Sequence, residues 1–416
     1  MELLTAGLDQ ACLRGAGKDV LSLAAIDVRN RSLAWAALFE AALDRPMPRT
    51  TFDVEPERAT RPPLWRLGHI AWFQEFWIGR NVQRGRGERA DPCLPRLASI
   101  LPDADRWYDP ALDDGAANAQ PAPDDSPDFA ATRLYLIESL ESSLELLDAT
   151  GDETDDALYF HRLALFHEEL QVEGFAVLAQ TLGIALPAGF LPRIATQASR
   201  PALLFPATRW LLGTSAPGFR FDNECEPHLV AIPEFEIDAQ AVTWAQFGEF
   251  VEDGGYDEPA HWSEAGWAWV SRRGRRTPRH VDQMRHGVLQ HRFGRLTRVP
   301  QAEPALHVSW FEADAWCRWA GRRLPGEAEW EAAAHQGATR GFRLGDVWEW
   351  TASTFRPYPG FFVGPWRDYS QPAFGETMVL RGASLATPLA VRSARFRHFA
   401  PPQSDDGFFG FRSCAF

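Results

Sequence analysis

Hydrophobic and polar positions divide the chain into two textures. From about residue 18 to 185, apolar positions recur every three or four residues, the period of a helix with one buried face. Ser32–Leu43 is rich in Ala, Leu and acidic residues, and Leu64–Arg80 carries Leu64, Leu67, Ile70, Ala71, Phe73 and Trp77 at helical spacing. Ala130–Leu147 aligns Leu136, Leu140, Leu144 and Leu147 on one stripe behind a Ser126-Pro127-Asp128 start signal. Ala157–Leu182 makes a fourth helix and stops at Gly183, a good terminator. Four amphipathic segments joined by unequal connections predict a four-helix bundle over residues 18–185. The Pro- and Asp-rich connection Arg86–Asp128 is too long for a structureless loop, so a short helix or a crossover is expected there.

Pro187, Pro192, Pro201 and Pro206 mark residues 186–205 as a linker. Beyond 206, segments are short and punctuated by Gly and Pro. Only Thr243–Val251 and Trp310–Ala320 read clearly as helices, the second behind a Ser309 cap, while Val379–Arg381 reads as a strand. Eleven of the 17 tryptophans lie between Trp244 and Trp366, enough aromatic area to build a core with few regular elements. The fold class expected is therefore α+β: a helical bundle, then an irregular α+β domain over 206–416.

The net charge of −14 argues against nucleic acid and anionic membranes as partners, since each phosphate contact needs a cation. No run of 18 apolar residues is present, so no membrane span is expected. Met1–Leu13 lacks the basic start and apolar core of a signal peptide, and Cys12, Cys93, Cys225, Cys317 and Cys414 are scattered, which fits a reducing cytoplasm. Arg272, Arg273, Arg275, Arg276 and Arg279 interrupt the acidic balance and are expected to form an exposed basic loop.

Candidate chemistry begins with two histidines. His69 sits among apolar neighbours on its helix, so its ring should point inward; taken alone, such a histidine is more often a satisfied core residue than a ligand. His167 opens His167-Glu168-Glu169-Leu170-Gln171, where positions i and i+4 share a helix face. Two histidines at that spacing hold one metal ion; here the second is glutamine. Inward histidines on two helices of one bundle raise the metal reading, because facing helices are where bundles build such sites. Tyr369, in the loop after Tyr358-Pro359-Gly360, suits either proton donation or packing. Phe399 suits either cation–π contact with a quaternary ammonium or the core.

The combined motifs resemble the ergothioneine sulfoxide synthases, which join a DinB-like helical bundle to a formylglycine-generating-enzyme-like (C-type-lectin-like) domain. Leu67-Gly68-His69-Ile70-Ala71-Trp72-Phe73 and the His167-Glu168 helix carry the likeness in the first half. Arg323–Glu331, Asp346–Thr351, Arg381-Gly382-Ala383-Ser384 and Gly410-Phe411-Arg412 carry it in the second. Within that family the chain looks closest to the selenoneine synthases, through His167–Leu170 with Glu173, Arg397-His398-Phe399 and Gly407–Cys414.

The resemblance implies a non-haem Fe(II) enzyme that spends O2 to join a selenosugar, or a thiol such as cysteine or γ-glutamylcysteine, to the imidazole C2 of hercynine (Nα-trimethylhistidine). It implies His69, His167 and Gln171 as metal ligands, with Gln171 where the family has a third histidine. It implies Tyr369 as the catalytic tyrosine and places Leu170, Trp366, Arg397, His398 and Phe399 around the substrates. Trp366 stands where some relatives have a second tyrosine, and His398 where they have asparagine. The arginine loop that grips a thiol partner in one branch has no clear counterpart after Arg80. A hercynine-binding relative without catalysis is the rival reading, and the absence of a close cysteine pair in 300–416 argues against formylglycine generation.

Overall fold

The computed structural model describes residues 13–43, 62–112, 126–194, 196 and 198–416. Among the described residues, the first half contains four long helices: α1 (Lys18–Leu43), α2 (Pro63–Gln74), then, after a short α3 (Ala104–Tyr108), α4 (Phe129–Asp148) and α5 (Asp155–Leu182). Helices α1, α2 and α5 pack on one another and on α4. Their ends follow local chemistry. Asp128 caps α4 by accepting from Ala131 N at 2.8 Å, and Thr154 caps α5 by accepting from Ala157 N. Gly183 closes α5 at φ 67°, as its position predicts.

Two details depart from the helical reading. The stripe Leu64–Arg80 is not one α-helix; it widens into a π-helical turn over Glu75–Gly79. There the Glu75 carboxylate accepts from Ser99 Oγ (2.7 Å), Ile100 N (2.5 Å) and Tyr135 Oη (2.5 Å), binding the long connection to the bundle. That connection holds α3, as expected, together with a 3-10 turn at Arg84–Arg89; its residues 113–125 lie outside those described.

The second half is irregular α+β. Strand β1 (Leu203–Phe205) pairs antiparallel with β4 (Phe235–Ile237), and β2 (Thr208–Leu212) with β3 (His228–Ile232). Leu203–Phe205 was expected in the linker; prolines flank it, but its alternating burial supports a strand. Helices α6 (Trp244–Glu252) and α7 (Glu264–Arg273) precede a three-stranded meander of β5 (Val281–Gln283), β6 (Val288–Arg292) and β7 (Arg295–Val299). After α8 (Trp310–Trp319) and α9 (Glu327–Gly337) come β8 (Trp348–Thr354), β9 (Met378–Gly382), β10 (Ser393–Ala400) and β11 (Phe409–Phe411). These last four form a sheet in the order β10-β9-β8-β11, with β11 parallel to β8.

Buried ion pairs stand behind this sheet. Glu327 of α9 accepts from Arg381 (2.7 Å) and Arg397 (2.6 Å), and Arg412 pairs with Glu349. The main apolar core runs through both halves: Phe166 of α5 stacks on Phe219 at 5.1 Å and meets Phe221 edge-on. No described helix is long and apolar enough to cross a membrane.

Candidate active site

Helices α2 and α5 bring His69 and His167 together. Their ring centroids are 5.2 Å apart, at 72°, and both residues are buried. The rotation of α5 is fixed behind His167 by Arg29 of α1, which grips both oxygens of Glu168 at 2.9 Å and Gln74 Oε1 at 2.7 Å. Ser32 adds a bond to Glu168, and Arg31 pairs with Glu169.

Each imidazole has a defined polarity. His69 Nδ1 lies 2.9 Å from the Tyr108 carbonyl, which only accepts, so Nδ1 carries the proton and Nε2 the lone pair. Gly68 makes that contact possible: a Cβ there would sit 2.1 Å from Tyr108 Cζ. His167 Nε2 lies 3.3 Å from Gln171 Nε2, an N–H donor, so this ring nitrogen is the acceptor of the pair. Burial, with help from the neighbouring His69, holds His167 well below the ordinary histidine range, and it is neutral. Aromatic rings clamp both: Phe73 stacks on His167 at 3.7 Å, and Trp65 on His69 at 4.7 Å.

A cavity of about 440 Å³ opens beside His167, between α5 and the sheet of the second half. Of the residues implicated from sequence, His167, Leu170, Gln171, Trp366, Tyr369, His398 and Phe399 line it. His69 stands one layer behind. His398 packs against Trp348 at 4.9 Å, and burial pushes its imidazole down to about 4, so it is uncharged. Tyr369 stacks between Trp366 (4.6 Å) and Phe221 (4.9 Å); burial first, then Glu224 and Asp222, holds its phenol well above the ordinary range.

Arg397 is the correction. It does not line the cavity. Its guanidinium is spent on Glu327 and on the carbonyls of Asn223 (2.8 Å) and Arg356 (3.1 Å).

Sequence reasoning missed other walls. Glu173 of α5 lines the cavity as well and reaches into the second half. Its Oε1 accepts from Trp348 Nε1 (2.7 Å), Ser384 Oγ (2.6 Å) and Thr387 Oγ1 (2.9 Å). Arg66, Asp368, Asp406, Phe408 and Phe409 also line the cavity. Arg66 lies against α5 because Gly174 has no side chain; a Cβ there would be 2.7 Å from Arg66 Nη1. The basic cluster was expected to be a free loop. Instead Arg275 and Arg279 clamp Asp405, next to the 406–409 wall. Of these, Glu173, Phe408 and Phe409 lie in segments that carried the family resemblance, and Gly174 shares a helix face with His167 at i+7.

Comparison with known proteins agrees with this two-part architecture. Residues 30–179 match the DinB superfamily, and residues 195–343 and 342–415 match the sulfatase-modifying factor enzyme 1-like domain. A hercynine oxygenase of Mycolicibacterium smegmatis is 32% identical over 411 residues, covering 84% of this chain and 90% of that protein. One from Mycolicibacterium thermoresistibile is 29% identical over 449 residues, covering 93% and 92%. A formylglycine-generating enzyme of Streptomyces coelicolor is 28% identical over 305 residues, covering 54% and 91%. With both halves matched in order, and relatives aligned along nearly their whole length, the chain belongs to the hercynine oxygenase, or ergothioneine sulfoxide synthase, family.

Proposed function

We propose that the protein is a non-haem Fe(II) enzyme of the cytoplasm that uses O2 to join a chalcogen to C2 of the hercynine imidazole. The donor proposed is a selenosugar, giving a selenoxide. The observation that carries the reading is the pair of buried imidazoles from two helices, their ring centroids 5.2 Å apart, with His167 in the wall of an aromatic cavity.

The donor set fits iron in part. Among the described residues, no three His, Cys, Asp or Glu side chains group closely enough to hold a metal ion. His69, His167 and the amide of Gln171 would hold it instead, two nitrogens and one neutral donor. Centroids 5.2 Å apart are compatible with two bonds of about 2 Å to one ion. When bound, the metal supplies oxygen activation and acidifies the thiol or selenol.

The chain's own residues do the rest. Phe399, Trp348, Phe408 and Phe409 offer aromatic surface to a trimethylammonium group, and Glu173, Asp368 and Asp406 make the lining acidic, which suits a cation. Tyr369 supplies a proton at its hydroxyl. Among the described residues, Arg66 is the one arginine or lysine in the lining, and Arg89, in the turn after Arg80, pairs with Asp156. A donor with two carboxylates, such as γ-glutamylcysteine, finds one cation there; a neutral selenosugar needs none. The decisive test supplies hercynine, iron and O2 with selenoglucose, thioglucose, cysteine or γ-glutamylcysteine in separate reactions, read by mass spectrometry. A selenosugar adduct as the main product supports the reading, and a γ-glutamylcysteine or cysteine adduct transfers it to a sulfoxide synthase. Equal turnover after iron removal overturns the metal role.

Gln171 favours the rival reading of a hercynine-binding relative without catalysis. Gln171→His is expected to raise iron affinity about tenfold or more, since imidazole replaces a weaker neutral donor. If both proteins bind hercynine in calorimetry but only the substituted one turns over, the rival reading stands. Gly68→Ala is expected to push Tyr108 away and to lower iron affinity by about 10- to 100-fold, the usual effect of losing a ligand's hydrogen-bond partner. Iron titration of the two proteins checks it; unchanged affinity would mean that the Tyr108 carbonyl does not orient His69.

A further inference from the structure

The cavity is lined by aromatic rings and by three carboxyl groups, those of Glu173, Asp368 and Asp406. Against that background a guanidinium stands on the wall: among the described residues, Arg66 is the one cationic side chain of the lining. Two helices fix its place. Arg66 lies on α2 three residues before His69, so the two share a face. On α5 it is admitted by a notch. Gly174 has no side chain, and a Cβ there would meet Arg66 Nη1 at 2.7 Å and Gln171 Oε1 at 4.0 Å. The residue beside the notch is Glu173, whose Oε1 is already taken by Trp348, Ser384 and Thr387, none of which bonds its second oxygen. A cation and a carboxylate therefore border one glycine, two turns or about 10 Å along α5 from His167. The walls from the second half offer an anion no cation, since His398 is uncharged and Phe399, Phe408 and Phe409 carry no polar group.

We infer that Arg66 is a specificity-determining residue whose guanidinium holds the carboxylate of hercynine, with the trimethylammonium group on the same carbon turned toward Glu173. The inference deepens the hercynine reading and rests on it. The match is that of a zwitterion to its wall. Hercynine carries a carboxylate and a trimethylammonium on one carbon, and the lining presents the opposite charge to each on either side of Gly174. A guanidinium meets a carboxylate through two parallel N–H donors. The trimethylammonium has no N–H to donate, so charge and ring faces alone recognise it. The imidazole end then extends along α5 toward His167. Because Arg66 and His69 belong to one helix, the carboxylate is held by the same element that carries a proposed metal ligand. A guanidinium engaged in this way is not available to the carboxylate of a second substrate, which agrees with a neutral donor.

Trimethylhistamine, which is hercynine without its carboxylate, isolates the contact. Calorimetry compares the two ligands on the whole protein, with neither oxygen nor a donor present. The wild-type protein is expected to bind hercynine about 10- to 100-fold more tightly, the range of one charge-assisted pair. In Arg66→Ala that preference should shrink to within about threefold, through loss of hercynine affinity with little change for trimethylhistamine. Arg66→Lys keeps the charge but loses the fork, and should fall between the two. A preference that survives in Arg66→Ala, or that is missing from the wild-type protein, overturns the inference and leaves the hercynine reading standing. So does an Arg66→Ala protein with unchanged hercynine affinity and a raised KM for cysteine, since the guanidinium then serves the donor. A wild-type protein that binds no hercynine at all removes the hercynine reading, and the inference falls with it. Should Arg66→Ala fail to fold, Arg66→Gln gives the same comparison.

Discussion

His167→Ala is expected to reduce iron affinity and hercynine-dependent oxygen consumption by more than about 100-fold, beyond what loss of a supporting contact causes. The reason lies in the donor count. His167 and His69 are the two imidazoles at the shared space, and the third group, Gln171, is a neutral amide poised against His167 itself. Removing His167 leaves one nitrogen and an amide without its partner. The helix should survive, because Arg29 of α1 holds both carboxylate oxygens of Glu168, the next residue along α5. Iron content after dialysis, oxygen uptake and circular dichroism separate the outcomes. A His167→Ala protein that keeps its fold, its iron and its oxygen uptake would remove the basis for a metal between α2 and α5.

Glu327→Gln is expected to destabilise the second half by about 3–5 kcal/mol, the usual cost of breaking a buried ion network by removing one partner. Arg381 and Arg397 both lie on this carboxylate, and both are buried. Burial alone opposes its charge, but Arg397 and Arg381 outweigh that and hold the carboxyl down at about 2, against an ordinary 4.5. The folded value is the lower one. The contribution is therefore complete above about pH 4.5 and is lost as pH falls toward 2. Urea midpoints measured across that window should fall steeply for the wild-type protein and less steeply for Glu327→Gln. Parallel acid profiles for the two proteins would show that the pair contributes no stability.

Much of the bundle was legible in the pattern of its residues. A helix buries one face, so apolar spacing marks its length, and local caps such as Asp128, Thr154 and Gly183 mark its ends. The π-helical turn at Glu75–Gly79 was not legible, because it answers to Ser99, Ile100 and Tyr135, which come from elsewhere in the chain. Helices α7 and α9 were missed in a stretch dense with Trp, Arg and Glu. Their charges pair with distant residues, as Glu327 does with Arg381 and Arg397, and leave no clean apolar stripe.

The site divides along the same line. The residues near His167 on α5 could be named from spacing, since a helix fixes which neighbours share a face; Leu170 and Gln171 line the cavity accordingly. Tertiary structure alone decided that Glu173 meets Trp348, Ser384 and Thr387, that Arg397 serves Glu327 and Asn223, and that the basic cluster clamps Asp405. Periodicity reports only contacts a few residues apart. Contacts more than a hundred residues apart, such as those of Glu173, depend on how the two halves pack, and no local pattern carries that information.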